Sequence, residues 1–405
     1  MPYSFKEVKM EKALNFILNN FLSSETDLLY DYLVDGIPDR LTGHLPSPSE
    51  IQVQFPNPCG WGTGMEDSVL SGGSLIDGLI AYYGATGDKS VKELTGRLFK
   101  GMMRCVVDID EGFIARSVSP VDKKSFYFDT SRDQYTHWVY SALRLYNSPL
   151  CEDSWKKDIE NVLVAFAKRL QRNVIPENDY NMLRYDGKIS IAGKMWGDIG
   201  THEYFRLPFF YIAAFHVSGD RHWFDMYMKY RDEAFRKMQS FHGDSFGLRC
   251  YPVLQMQYSL KAAYDIDPDP VFKENCRAYM KDIAAYYEGF VLSESEKLLS
   301  DIKSPKNYYK YRAFREVPFR NMGAFGEKEY LNAAQSEIPE NSGFYLIRNV
   351  GEAASCVALC PDYDFNAELF DAVKALSDAI DYSRIGNYSP MLLWCGFWLM
   401  KEAKK

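Results

Sequence analysis

Several features that announce large classes of protein are scarce or missing. Excess positive charge is missing: 47 Lys and Arg stand against 55 Asp and Glu, for a net charge of −8 and an isoelectric point near 5.4. Nucleic-acid binding needs a basic face, so no nucleic-acid partner is expected. Histidine is scarce, six in 405 residues, and the eight cysteines include no C-x-x-C pair and no zinc spacing. Cys356 and Cys360 share a helix face, but two thiols do not make a metal site, and neither metal nor cofactor is expected. No uninterrupted apolar stretch is long enough to span a bilayer, which excludes a membrane-spanning helix. The opening "MPYSFKEVKMEKALNFILNN" has no charged-then-apolar leader. That points to the cytoplasm for the chain as written, and to the periplasm if a leader was trimmed from it. Strand signals are nearly missing too, so the expected class is all-α.

What is present is apolar and aromatic. The chain is 46% apolar and 15% aromatic, with 29 Tyr and 7 Trp. That is enough to bury a large core, and flat side chains suit the C–H faces of sugar rings. From Glu152 to Arg172, Trp155, Ile159, Val162, Leu163, Phe166, Ala167 and Leu170 recur in steps of three and four opposite Lys156, Lys157, Asp158 and Glu160. This is a one-faced, outer helix. Other stretches, such as "PFFYIAAFHV" and "SPMLLWCGFWLM", are apolar nearly all round, as helices buried on every side are. The two kinds alternate. Outer helices are expected near 8–22, 89–107, 152–172, 221–240, 270–290 and 364–382. Inner helices are expected near 65–84, 132–146, 205–217, 250–264, 342–360 and 388–402.

The punctuation repeats as well. In "AYYGATGD" (Ala81–Asp88) and "AAFHVSGD" (Ala213–Asp220), a glycine can end one helix in the left-handed conformation and an aspartate can cap the next. Short inner-to-outer turns and long outer-to-inner loops recur. Six inner and six outer helices of this kind predict one domain over residues 1–405, an (α/α)6 barrel whose first helix packs beside its last. An open superhelix of helical pairs is the alternative. Long loops over 35–64, 108–131, 173–204 and 291–341 then gather at the rim where inner helices begin.

That rim collects the candidate chemistry. "GWGTGMEDSVL" brings Glu66 and Asp67 to the first inner helix, and "FYFDTSRDQYTHW" brings Asp129 and Asp133 to the second. "MWGDIGTHEYFRLP" brings Asp198, His202, Glu203 and Arg206 to the third. Two carboxyl groups whose pKa values are pushed apart are the equipment of glycosidic bond cleavage. Asp67, Asp133, Glu66, Asp129 and Glu203 are therefore the catalytic candidates. Convergence of Asp67, Asp133 and one of Asp129 or Glu203 on one cavity is expected, with at least one carboxyl shifted upward. The plain alternative is helix capping, since acids are favoured in any first turn, and Asp129 stands where a cap would. Asp133→Asn is expected to cost rate with little change in stability. Trp61, Tyr127, Tyr135, Trp196 and Tyr204 are candidate platforms for sugar rings, otherwise loop packing. His137 and His202 are candidates to face the pocket, while Arg132, Lys194 and Arg206 could hold a substrate carboxylate. "YYKYRAFREVPFR" (Tyr308–Arg320) interleaves aromatics and arginines, as a surface-packed loop or an arginine-bearing lid would.

With these stretches in view, the chain resembles the six-hairpin glycosidase superfamily over nearly its whole length. "GTGMEDSVLSGG" followed by "DTSRDQYTHWVYSAL" is similar to stretches in bacterial members, often from polysaccharide degraders. Unsaturated glucuronyl hydrolases of that superfamily place aspartates at the starts of successive inner helices, as Asp67 and Asp129 or Asp133 would be here, although the surrounding motifs differ. The resemblance implies a hydrolase of oligosaccharides, plausibly ones containing a uronic acid. The competing readings are a polysaccharide lyase working through Tyr135, His137 and His202, a sugar epimerase using paired histidines, and a non-catalytic carbohydrate-binding protein. Oligomeric state is not written in the sequence.

Overall fold

The computed structural model describes residues 10–31, 45–61, 63–247, 250–302, 343–382, 385 and 387–405. The Tyr308–Arg320 segment lies outside the described residues. The chain is all-α, with 65% helix against 3% strand among the described residues. The helices are α1 (Glu11–Asn20), α2 (Pro48–Gln52), α3 (Ser68–Thr86), α4 (Lys92–Arg104), α5 (Arg132–Tyr146), α6 (Asp153–Asn173) and α7 (Arg206–Ser218). They continue with α8 (Arg221–Met238), α9 (Cys250–Ile266), α10 (Pro270–Ile302), α11 (Gly343–Ala358), α12 (Glu368–Ala379) and α13 (Ser389–Ala403).

Two boundaries differ from the sequence expectation. Helix α4 stops at Arg104, and β1 (Val106–Asp108) then pairs antiparallel with β2 (Phe113–Ile114). Adjacent β-branched residues, Val106 and Val107, favour an extended backbone, and Gly112 turns the hairpin at φ +62°. Helix α10 runs on to Ile302 because Tyr287, Val291, Ser295 and Leu298 extend its buried face at helical spacing. Residues 291–302, expected to begin a loop, are therefore helical.

Elsewhere the local chemistry works as the pattern implies. Gly87 and Gly219 end α3 and α7 with φ of +73° and +68°. Asp88 then accepts the Ser90 amide at 2.8 Å, and Asp220 the His222 amide at 3.0 Å. In α6 the stripe Ile159, Val162, Leu163, Phe166, Ala167 and Leu170 is buried, each large side chain contributing roughly 1.5–3 kcal/mol. The Phe166 ring lies 3.9 Å from Tyr135 of α5 and 4.9 Å from Phe210 of α7. Losing that ring would leave a cavity costing about 3–5 kcal/mol.

Packing links the all-round apolar helices in sequence. Helix α3 packs on α5, α5 on α7, α7 on α9, α9 on α11, α11 on α13, and α13 on α3. The one-faced helices lie against these: α4 on α3, α6 on α5 and α7, α8 on α7, α10 on α9 and α11, and α12 on α13. Helix α1 packs on α13, as expected of the first and last segments. The α11–α13 crossing is close because glycines meet there: a Cβ on Gly351 would lie 2.2 Å from the Leu392 carbonyl carbon, and one on Gly396 2.5 Å from the Gly351 oxygen. One apolar cluster runs through the described residues from Met10 to Met400. Among the described residues, no helix is long and apolar enough to cross a membrane.

Candidate functional site

The start of α3 is held by a residue that the local pattern did not single out. Asp31 is buried, and its carboxylate accepts the backbone N–H groups of Glu66 at 2.8 Å and Asp67 at 3.1 Å. The first-turn amides of α3 go elsewhere, that of Val69 to the Arg116 carbonyl at 3.2 Å and that of Leu70 to Gln134 Oε1 at 3.1 Å, which leaves the Asp67 side chain for other contacts. Although Asp67 sits at the N-cap, its side chain makes no capping hydrogen bond. Instead it accepts Gln134 Nε2 at 2.8 Å and lies 3.8 Å from Arg116 Nη1. Gln134, fully buried on α5, also donates to the Glu66 carbonyl at 3.0 Å and accepts the Leu70 amide at 3.1 Å. It ties the first turns of α3 and α5 together.

The second helix repeats this division of labour. Ser131 caps α5 by accepting the Gln134 amide, so neither Asp129 nor Asp133 is its cap. Asp133 accepts Arg206 Nη1 at 2.7 Å, an ion pair across α5 and α7 in which the arginine side chain is 0% exposed and the aspartate's 29%. Glu203 accepts Arg132 Nη2 at 2.7 Å, and its carboxylate lies 3.9 Å from Arg206 Nη2 and 3.7 Å from His202 Nε2. Asp133, Glu203, Arg132, His202 and Arg206 thus form one connected cluster, and Arg116, paired with Asp67, acts on Asp133 through its charge. The Glu66 carbonyl accepts Arg116 Nη1 at 3.1 Å.

Other sequence candidates are placed differently. Asp129 is fully buried and accepts the Thr130 amide, the Ile191 amide and the Cys59 thiol at 2.9, 3.4 and 3.3 Å. It organises the loop before α5, which corrects its expected place as a cap. Tyr127 and Tyr135 are core residues rather than platforms. The Tyr127 hydroxyl donates to the Phe55 carbonyl at 2.5 Å. The Tyr135 hydroxyl donates to the Gly112 carbonyl at 3.2 Å and accepts the Ile114 amide at 2.9 Å. Trp196 packs edge-on against Tyr204 and Tyr230, and Lys237 reaches the Tyr204 hydroxyl. The Lys194 ammonium is taken by Asp179 at 2.8 Å, while its carbonyl accepts Arg132 Nη1. Trp61 remains beside the cluster, with the Arg116 guanidinium 5.8 Å from its ring centre.

Three contributors come from the far half of the chain and were missed in the sequence. On α11, Arg348 donates to Glu352 at 2.7 Å and to the Tyr388 hydroxyl at 3.5 Å. Glu352 is 2% exposed, and its Oε2 has no hydrogen-bond partner among the described residues. The Asp67 charge acts on Arg348, Glu352 and Tyr388 alike. The spacing of Arg348 and Glu352, one turn apart in an otherwise apolar helix, was the available signal; two buried charges at that spacing demand each other.

Electrostatics separates the carboxyl groups. Burial pushes the Asp133 carboxyl up, but the charges of Arg206, Arg132 and Arg116 outweigh it and hold the group below the usual carboxylate range. Burial raises Glu352 despite Arg348, with the Asp67 charge adding to the rise. Burial likewise raises Asp31 well above its ordinary value, reinforced by Asp67 and Glu66. The upward shift expected at this site therefore falls on Glu352 and Asp31, whereas Asp133 is shifted down. Burial lowers His137 to about 3 and depresses His202 in spite of Glu203, so both imidazoles are neutral at neutral pH. Among the described residues, no group of three or more His, Cys, Asp or Glu is placed to hold a metal ion. No protein-family model, curated protein or solved structure matches this chain.

Proposed function

We propose that the chain is a glycoside hydrolase, built on an (α/α)6 barrel, that cleaves an oligosaccharide containing a uronic acid. The scaffold reading is supported by the succession of contacts from α3 through α13 and back to α3, with one-faced helices outside. The chemical reading is supported above all by carboxyl groups in opposed settings. Asp133 is ion-paired with Arg206 at 2.7 Å, whereas Glu352 is buried with one oxygen unpartnered among the described residues. Groups whose environments push their pKa values apart divide into acid and base.

In this mechanism the protonated Glu352 gives its proton to the glycosidic oxygen as the bond to the anomeric carbon breaks, and the electron pair stays with the leaving oxygen. Asp133, kept ionised by its arginines, faces the positive charge that develops at the anomeric carbon and takes a proton from the attacking water. The products are a new reducing end and a free hydroxyl. Arg116, 3.8 Å from Asp67, and Arg348, on which the Asp67 charge acts, suit the carboxylate of a uronic acid.

The lyase alternative loses one of its bases, because the Tyr135 hydroxyl is occupied by backbone partners and burial pushes it up to about 12. A product assay on uronate oligosaccharides separates the two. New reducing ends without the ultraviolet absorbance of an unsaturated uronate are expected. Appearance of that absorbance would replace the hydrolase with a lyase.

A further inference from the structure

At the ends of α3 and α5 opposite Asp67 and Asp133 there is a cavity that the hydrolase reading does not use. It measures about 540 Å³, and five of the all-round apolar helices line it from their last turns: Gly84 of α3, Arg144 of α5, His216 of α7, Asp265 of α9 and Glu402 of α13. Along α5, Arg144 lies eleven residues beyond Asp133, about 16 Å of helix. A space of this size holds a small organic molecule.

Some of its polar groups are unclaimed. Tyr140 lines the cavity with only 2% of its surface exposed, its ring stacked on Tyr258 at 3.9 Å. Its hydroxyl has no hydrogen-bond partner among the described residues, yet keeps accessible surface. Glu402 accepts Arg144 Nη2 through Oε2 at 2.6 Å, and its Oε1 has no hydrogen bond among the described residues. Gly84 makes room for that oxygen, since a Cβ there would lie 2.5 Å from it. Tyr83, Leu143 and Ile266 add an apolar wall.

The charge at this end favours a cation. Asp77, Glu402 and Asp265 stand against Arg144 and Lys261, three carboxyl groups to two cations. Arg144, the guanidinium of the lining, is already held by Asp77 at 2.8 Å and by Glu402. His216 donates Nε2 to Asn147 Oδ1 at 3.0 Å, and burial lowers its pKa, so it adds no charge near neutral pH. Helix C-termini carry partial negative charge on their unpaired carbonyls, and five of them meet here.

We propose that this cavity binds an organic ammonium ion with an apolar body, the nitrogen donating to Glu402 Oε1 and the Tyr140 hydroxyl and the body lying against Tyr83 and Leu143. An ammonium group has donors and no acceptor, which is what an unclaimed carboxylate oxygen and an unmatched hydroxyl oxygen can take. The site stands apart from the saccharide reading and does not depend on it.

The test uses the full chain and three probes of one shape, 2-phenylethylammonium, 2-phenylethanol and 3-phenylpropanoate, titrated calorimetrically. The wild type should bind the ammonium about tenfold or more tightly than the alcohol, and the carboxylate least. Tyr140→Phe removes a hydroxyl that no other group in the fold holds, so its thermal midpoint should stay in place while ammonium affinity falls roughly three- to tenfold. Glu402→Gln should cost about tenfold or more, the loss of a charged hydrogen bond. No binding of the ammonium by the wild type, equal affinity for the alcohol, or preference for the carboxylate would each overturn the site. If Glu402→Gln is too unstable to titrate, Tyr140→Phe decides alone. Unchanged ammonium affinity in that variant overturns the proposal, and so does a midpoint several degrees lower, which would mean the hydroxyl is already satisfied within the fold.

Discussion

Replacing Asp133 by Asn probes chemistry and architecture together. Asp133 accepts Arg206 Nη1 at 2.7 Å, and the arginine side chain is 0% exposed. Removing one partner of a buried ion pair costs about 3–5 kcal/mol because the other charge is left uncompensated. Asparagine keeps an oxygen for Nη1, and Glu203 stands 3.9 Å from Nη2, so the expected loss is smaller, about 1–3 kcal/mol. Unfolding entropy of roughly 2.1 cal/mol/K per residue over 405 residues gives roughly 0.85 kcal/mol/K. The thermal midpoint should therefore drop by about 1–4 °C, a measurable cost where the sequence led one to expect little change. Turnover on a uronate oligosaccharide should fall by about 10²–10⁴-fold, the usual share of a positioned acid or base. The sign of the pH dependence follows from the depressed Asp133 value. Its stabilisation is present above the unfolded carboxylate value of about 4 and is lost as pH falls through the folded one. The Asn variant should lose that acid-side dependence. Full turnover and an unchanged midpoint in Asp133→Asn would refute both the ion-pair energetics and the catalytic assignment.

Two further outcomes follow from the same geometry. Asp129→Asn should destabilise the chain by about 1–3 kcal/mol in thermal denaturation, because an amide nitrogen cannot accept from the backbone donors now held by the carboxylate. Ser131→Ala, which removes the actual α5 cap, should cost about 1 kcal/mol; a neutral Asp129→Asn would return the capping role to Asp129. His137, neutral down to about pH 3 in the fold, should make stability fall as pH drops from about 6.5, the unfolded value, toward that point. His202 and His216 shift the same way, so the comparison is between wild type and His137→Leu. The variant's midpoint should decline less between pH 7 and pH 5, and parallel curves would place a charged imidazole in the fold.

Periodicity alone determined which segments are helices and which of them are buried all round. Apolar steps of three and four in α6, and unbroken apolarity in α7 and α13, report the water each face meets. Gly87–Asp88 and Gly219–Asp220 could be read as stops and starts because left-handed backbone and amide capping are local chemistry. Local chemistry also located the carboxylates at the starts of α3 and α5. It could not say which of them cap, since capping depends on whichever oxygen reaches the free amides first. In α3 those amides go to the Arg116 carbonyl and to Gln134 Oε1 while Asp31 holds the two amides just before the helix, and that frees Asp67 to face Gln134 and Arg116. Nor could it tell that Asp133 would be ionised and Glu352 pushed toward its protonated form. Those states depend on which arginine lies within a few ångströms and how much water is excluded, and both are set by packing between helices far apart in the chain. Aromatic residues on the rim segments looked like platforms, yet Tyr127 and Tyr135 turned inward, because a ring's orientation follows the cavity that it fills rather than its neighbours in sequence.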